Sequence, residues 1–158
     1  MNIRDFNKII VVSLCDSFTD VVAKVLSQNL DMMFCSTKDL IEYELIDKQK
    51  VQELCSREYL QLSERRVMKH IASFVNVVVS INYDYLINNF DVLKDGALIV
   101  FVKLSKTFLK ENDEAVNLIA YETRTANLKA LAHLQLNTIK TEPNYVCNKI
   151  IENLGGIL

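Results

Sequence analysis

Residues Lys8 to Leu30, KIIVVSLCDSFTDVVAKVLSQNL, constrain the fold more than any other stretch. Ile9 to Val12 is an unbroken β-branched run, the pattern of a central parallel strand covered on both faces. Val21, Val22, Val25, Leu26 and Leu30 then recur at helical spacing, so the following segment has one apolar face. The expected elements are a strand over 8–14, a turn, and a helix over 20–29. In α/β proteins such a turn is where phosphate binds, because glycines let backbone N–H groups approach an anion at the helix N-terminus. This turn, Ser13 to Asp20, contains no glycine. Its position suits an anion and its residues do not.

The same alternation repeats along the chain. Asp31 to Cys35 predicts a second short strand, and a helical region from Asp39 should break near Asp47 or Lys48 and again near Ser56. Its last helix, 57–74, places Leu60, Val67, Met68 and Ile71 on one side. Asn76 to Ile81 and Ala97 to Leu104 are further buried strands, the second announced by the Asp95-Gly96 turn. Asn82, Tyr83 and Asp84 form a polar break before a helical turn that carries Tyr85, Leu86, Asn89 and Phe90. A loop is expected over 110–113 and a single helix over 114–129, with Val116, Ile119, Ala120, Thr123 and Asn127 sharing parts of one face. A less buried strand over 134–139 follows. A last helix starts at Thr141-Glu142-Pro143, where proline is tolerated in the first turn, and ends at Gly155. Five strands with helices between them predict a three-layer α/β/α domain around a five-stranded parallel sheet, spanning 1–158 as one unit.

Composition narrows the function. The net charge is −2 with 24% charged residues, and Arg65, Arg66 and Lys69 lie on one solvated helical face, so no nucleic-acid surface is expected. Cys15, Cys35, Cys55 and Cys147 show no ligand spacing, which argues against a metal site and for free thiols. With no apolar run near membrane-spanning length and no signal peptide, a cytoplasmic location and no membrane partner are expected. His70 and His133 have no nucleophile nearby and are read as surface or capping residues.

The order of elements and the spacing of four stretches resemble shikimate kinase, a small P-loop kinase family. VLSQNL at 25–30 is similar to the end of that family's first helix, and MMFCSTKDLIE to its FxDTDxxIE. SINYDYLINN stands where the family has its glycine triplet, and Arg124, Ala132 and Thr138 keep the spacing of its RxxxYxxxA segment. The resemblance implies a P-loop kinase topology and, for an intact member, ATP- and Mg²⁺-dependent phosphorylation of shikimate.

Each working part is altered. The phosphate-loop pattern falls on Ser13, Phe18, Thr19 and Asp20, so its glycines, lysine and metal-binding hydroxyl are replaced. Asp16 and Asp20 would face the triphosphate, and one such repulsion costs about 3 kcal/mol at ~5 Å and an effective dielectric of ~20. The paired aspartates become Ser36 and Lys38. Of the FRxxE motif only Glu64 stays, with Gln61 in place of the arginine that pairs with the substrate carboxylate; Arg57, one turn earlier, is the nearest substitute. Asn82, Tyr83 and Asp84 replace the glycine triplet. The arginine-rich lid has no counterpart between Leu104 and Arg124, an interval too short and without arginine, and Arg124 is the one functional arginine retained.

The expectation is a kinase fold without phosphoryl transfer and without cofactor. A divergent active enzyme holding ATP and Mg²⁺ through Arg124, Lys38 or Lys106 is the alternative. A third reading is a module whose reshaped cleft, crowded by Phe18, Tyr83 and Tyr85, binds another protein or a second copy rather than a small-molecule substrate. For Arg124, a salt bridge to a helix carboxylate is the competing role.

Overall fold

The computed structural model describes residues 6–45 and 56–157. The elements are β1 (Lys8–Val12), α1 (Asp16–Asn29), β2 (Met33–Ser36), α2 (Thr37–Leu45), α3 (Arg57–Ala72), β3 (Val77–Ile81), α4 (Tyr83–Leu93), β4 (Ala97–Lys103), α5 (Lys106–Glu111), α6 (Ala115–Ile119), α7 (Tyr121–Leu131), β5 (Leu134–Asn137) and α8 (Pro143–Ile157). The five strands form one parallel sheet in the order β2-β3-β1-β4-β5. β1 is central, with Val12 opposite both Ile81 and Phe101. Its apolar run follows from that place, since every one of its residues is buried. Helices on both faces complete the three layers expected from the alternation.

Several boundaries differ from the sequence reading. β1 stops at Val12, two residues early, and α1 starts at Asp16, four residues before Asp20. The cause is local: without glycine the turn is short, and Ser13 and Thr19 satisfy its backbone by side-chain hydrogen bonds. The second strand is shifted to 33–36, because Asp31 takes a left-handed conformation (φ 54°) that closes α1. The expected break near Asp47 or Lys48 lies outside the described residues. Near Ser56 a helix begins, with the Ser56 hydroxyl accepting the Tyr59 N–H at 3.1 Å as an N-cap.

The 110–113 loop is partly helical, since α5 runs to Glu111. The single helix over 114–129 is two helices broken at Ala120 (φ −94°, ψ 16°). Its supposed apolar face is not buried, with Val116 and Ile119 68% and 89% exposed. The buried anchor there is Tyr121, whose hydroxyl donates to the Leu104 carbonyl at 2.8 Å. β5 stops at Asn137, leaving Ile139 in solvent, and α8 continues past Gly155 to residue 157. On α3, Leu60, Val67, Met68 and Ile71 are buried together as expected.

At the base of the sheet Gly96 adopts φ +70°, and a Cβ there would lie 2.8 Å from the Asn7 side chain. Two histidine contacts also hold elements together. His70 Nδ1 lies 3.1 Å from Glu44, joining α3 to α2. His133 extends the β4–β5 ladder: its backbone N–H donates to the Ile99 carbonyl at 2.9 Å, and its ring Nδ1 accepts the Ile99 N–H at 3.0 Å. Phe6 packs edge-on against that ring.

Desolvation lowers the His133 pKa below its usual 6.5. The unfolded chain therefore takes up this proton first, so the contribution is present above about pH 6.5 and is lost as pH falls through the folded value. His133→Ala should cost about 1 kcal/mol at neutral pH. Its urea-unfolding midpoint should also change less than that of the unsubstituted protein between neutral and mildly acidic pH.

Candidate functional site

β1 has β3 on one side and β4 on the other, and the chain crosses over between them. The crevice outside its carboxyl end is where open parallel sheets bind ligands. Its floor is the Ser13–Cys15 turn. Ser13 is buried, and its hydroxyl accepts the Cys15 N–H at 3.1 Å while lying 3.0 Å from the Cys15 carbonyl and 2.6 Å from Thr19 Oγ1. Thr19 Oγ1 in turn donates to the Cys15 carbonyl at 3.1 Å. An amide that would meet an anion in a phosphate loop is thus satisfied within the turn. Phe18 is buried and meets Phe108 of α5 in an edge-to-face pair, centroids 5.5 Å apart. Asp20 is half-buried, turned toward β3, and accepts a hydrogen bond from Ser80 at 2.5 Å.

The interval read as a missing lid forms a strap across this floor. Asn117 of α6 donates to the Leu14 carbonyl at 2.8 Å, and its Oδ1 accepts from Arg124 at 2.7 Å. Arg124 stacks over Tyr83, 4.5 Å from the ring centroid, and lies 3.6 Å from Asp84 Oδ1. The Tyr83 hydroxyl accepts from Asn127 at 2.7 Å. Arg124 therefore makes the ion pair to a helix carboxylate that competed with a ligand role. Asn117 was not singled out in the sequence, and Asn127 was read there only as part of a helical face.

A second part of the crevice stays open. A cavity of about 1280 Å³ between α3 and α4 is lined by Gln61 and Glu64 from one helix and Asn82, Asp84 and Tyr85 from the other, with Arg57 beside them. The fold thus gathers four of the substrate-side positions, plus Arg57. Ser36, Lys38 and Tyr83 are not among the lining residues. Ser36 instead accepts the Asp39 N–H at 3.3 Å, and Lys38 is exposed. Arg65 braces the cavity by donating to the Asn88 carbonyl at 3.3 Å and pairing with Asp91. Asn89 leaves helical geometry (φ −126°), because its side chain bonds back to the Tyr85 carbonyl at 2.9 Å.

Acidic groups dominate the crevice electrostatics. The Asp16 carboxyl is pushed up to about 6, first by desolvation, then by Glu114, Asp20 and Asp84, with Lys38 opposing. Burial raises the Cys35 thiol to about 11, away from reactivity. Among the described residues no cluster of His, Cys, Asp or Glu could hold a metal ion, and no helix is long and apolar enough to cross a membrane.

No protein-family model matches the sequence, and neither does any curated protein. Solved structures do match over nearly the full length. Shikimate kinase from Aquifex aeolicus superposes with TM-score 0.77 at 20% identity, covering 94% of this chain and 96% of that one. The Bacteroides thetaiotaomicron shikimate kinase gives 0.79 at 16%, covering 94% and 98%. The chain has the shikimate-kinase fold. The Acinetobacter baumannii shikimate kinase, solved in complex with shikimate, gives 0.76 at 15%, covering 96% and 94%. A gluconokinase from Sinorhizobium meliloti gives 0.64 at 14%, covering 97% and 94%.

Protonation of Asp16 is linked to folding. Its raised pKa means the native state holds more protons than the unfolded chain between about pH 4 and 6, so stability falls as pH rises across that window. Asp16→Asn should raise the thermal midpoint at neutral pH and flatten this slope. The residue as a whole is exposed, so water offsets part of both the desolvation and the repulsion, and the gain should be smaller than the pKa shift alone implies.

Proposed function

We propose that this chain is a shikimate-kinase-fold protein that has given up ATP binding and phosphoryl transfer and acts as a binding scaffold. The observation that carries this is the turn at Ser13, Cys15 and Thr19, whose polar groups bond to one another rather than standing open. Phosphoryl transfer depends almost wholly on positioning and on stabilising charge. At the phosphate-loop positions Thr19 stands for the lysine and Asp20 for the metal-binding hydroxyl, and Asp16 adds negative charge. The retained arginine is engaged by Asn117, Tyr83 and Asp84. These features favour loss of activity over a divergent kinase working through Arg124, Lys38 or Lys106.

The open cavity between α3 and α4 favours a binding role in the reshaped acceptor half of the crevice. Its lining mixes both charge signs with amides, which suits a polar ligand or the polar tip of a protein partner better than an apolar one. The aromatic residues expected to crowd the mouth supply no exposed patch: Phe18 is buried, and Tyr83 and Tyr85 are partly buried.

Calorimetric titration with Mg-ATP, alone and with saturating shikimate, tests the proposal. No heat is expected at concentrations that would reveal a millimolar dissociation constant, about −4 kcal/mol of binding. Heat that disappears in Arg124→Ala would overturn the proposal and establish a nucleotide-binding enzyme.

A further inference from the structure

At the opposite end of the sheet from the crevice lies a second cavity, of about 600 Å³. It sits where β1 begins, below the end of α1 and against the last turns of α8. Leu30, Met32, Ile151 and Leu154 contribute apolar wall, while Lys8, Asn7 and Asn76 supply the polar edge. The volume is within the roughly 300–1,000 Å³ typical of small-molecule sites, and the composition fits them: mostly apolar, with a few placed polar groups.

Lys8 is the unusual residue. It is 2% exposed, among the largest fully buried side chains of the protein. Its ammonium donates to Asn7 Oδ1 at 2.8 Å, a neutral partner that satisfies a hydrogen bond without cancelling charge. Burial lowers its pKa, and among the described residues the charged group that acts against this is Asp95, an exposed residue in the turn before β4. A buried cation is costly unless an anion pairs with it. The residue has no part in the crevice chemistry, and methionine would supply the same stem without the charge.

We propose that this cavity binds an amphipathic carboxylate, its apolar tail against Leu30, Met32, Ile151 and Leu154 and its anionic head at Lys8. The tail supplies affinity by leaving water and the head supplies selectivity for anions. The site is independent of the crevice, so the outcome of the ATP titration does not bear on it.

The test is titration of the full chain with hexanoate, octanoate and decanoate, alongside octylamine, followed by amide chemical shifts in ¹H–¹⁵N spectra. Shifts are expected around Leu30, Ile151 and Leu154. Affinity should rise about fourfold per methylene, the factor that corresponds to ~0.8 kcal/mol. Octylamine should bind at least about tenfold more weakly than octanoate, because it sets a cation against Lys8. Lys8→Met should abolish that preference while retaining the chain-length dependence, and Leu154→Trp should weaken every ligand by filling the space. The head-group comparison on the unsubstituted protein needs no variant to fold. Equal binding of amine and carboxylate, shifts confined to other surfaces, or no shift with decanoate near 1 mM, about −4 kcal/mol, would each overturn the proposal.

Discussion

The Cys15 amide, 3.1 Å from the Ser13 hydroxyl, fixes what the rest of the crevice can be. In a glycine-rich loop the amides after the first strand stay open because nothing local reaches them, and an anion completes them. Here a hydroxyl two residues earlier reaches the amide first. Thr19, one turn into α1, closes the same knot from above. Helix α1 can then begin at Asp16, without waiting for a ligand-shaped loop to end. An acidic residue in the first turn suits the helix dipole, even though desolvation and then its acidic neighbours push its pKa up. The local preference for a short, self-satisfied turn and the absence of a phosphate cradle are one fact seen from two sides.

Arg124 shows which interactions carry the closed half. Its contact to Asp84 is 3.6 Å long, and that carboxylate is 64% exposed; such a pair contributes about 0–1 kcal/mol. Stacking over Tyr83 contributes a further ~0.5–2 kcal/mol, more as the cation is desolvated, and the Arg124 side chain is only 19% exposed. The hydrogen bond to Asn117 adds about 1.5–3 kcal/mol as a bond to a charged group. The ring and the amide therefore outweigh the salt bridge, and salt alone should not release the strap. Asn117 extends the hold to the Leu14 carbonyl, so the interval after β4 and the turn after β1 are joined directly.

Strands were legible in the sequence because a buried parallel strand needs a continuous apolar run, and Ile9–Val12, Val77–Val79 and Leu98–Val102 each supply one. Helix positions were legible where one face is buried, as on α3. What escaped was set by side-chain hydrogen bonds. Periodicity carries no record of Ser13 reaching back to an amide, so the start of α1 was placed four residues late. The exposed Val116 and Ile119 imitated an apolar face, and the break at Ala120 has no glycine or proline to announce it. Within the site, the positions matched to the family motif separate: Gln61, Glu64, Asn82 and Asp84 line one cavity, and Ser36, Lys38 and Tyr83 do not. Asn117 left no such trace, because the interval containing it has no counterpart in that motif.

Helix α4 couples the two halves of the crevice. Its first turn carries Tyr83 and Asp84, which hold Arg124 in the closed half, while Asp84, Tyr85, Asn88 and Asn89 line the open half. Arg65 ties α4 to α3 at the carbonyl and side chain of successive residues, Asn88 and Asn89, at the point where the helix kinks. Moving Asp84 to widen the cavity would draw on the Arg124 knot, and displacing Arg124 would free a carboxylate at the cavity rim. A ligand that prefers a free Asp84 must therefore compete with Arg124 for a carboxylate whose ion pair contributes about 0–1 kcal/mol, while Tyr83 and Asn117, neither of which lines the cavity, keep Arg124 in place.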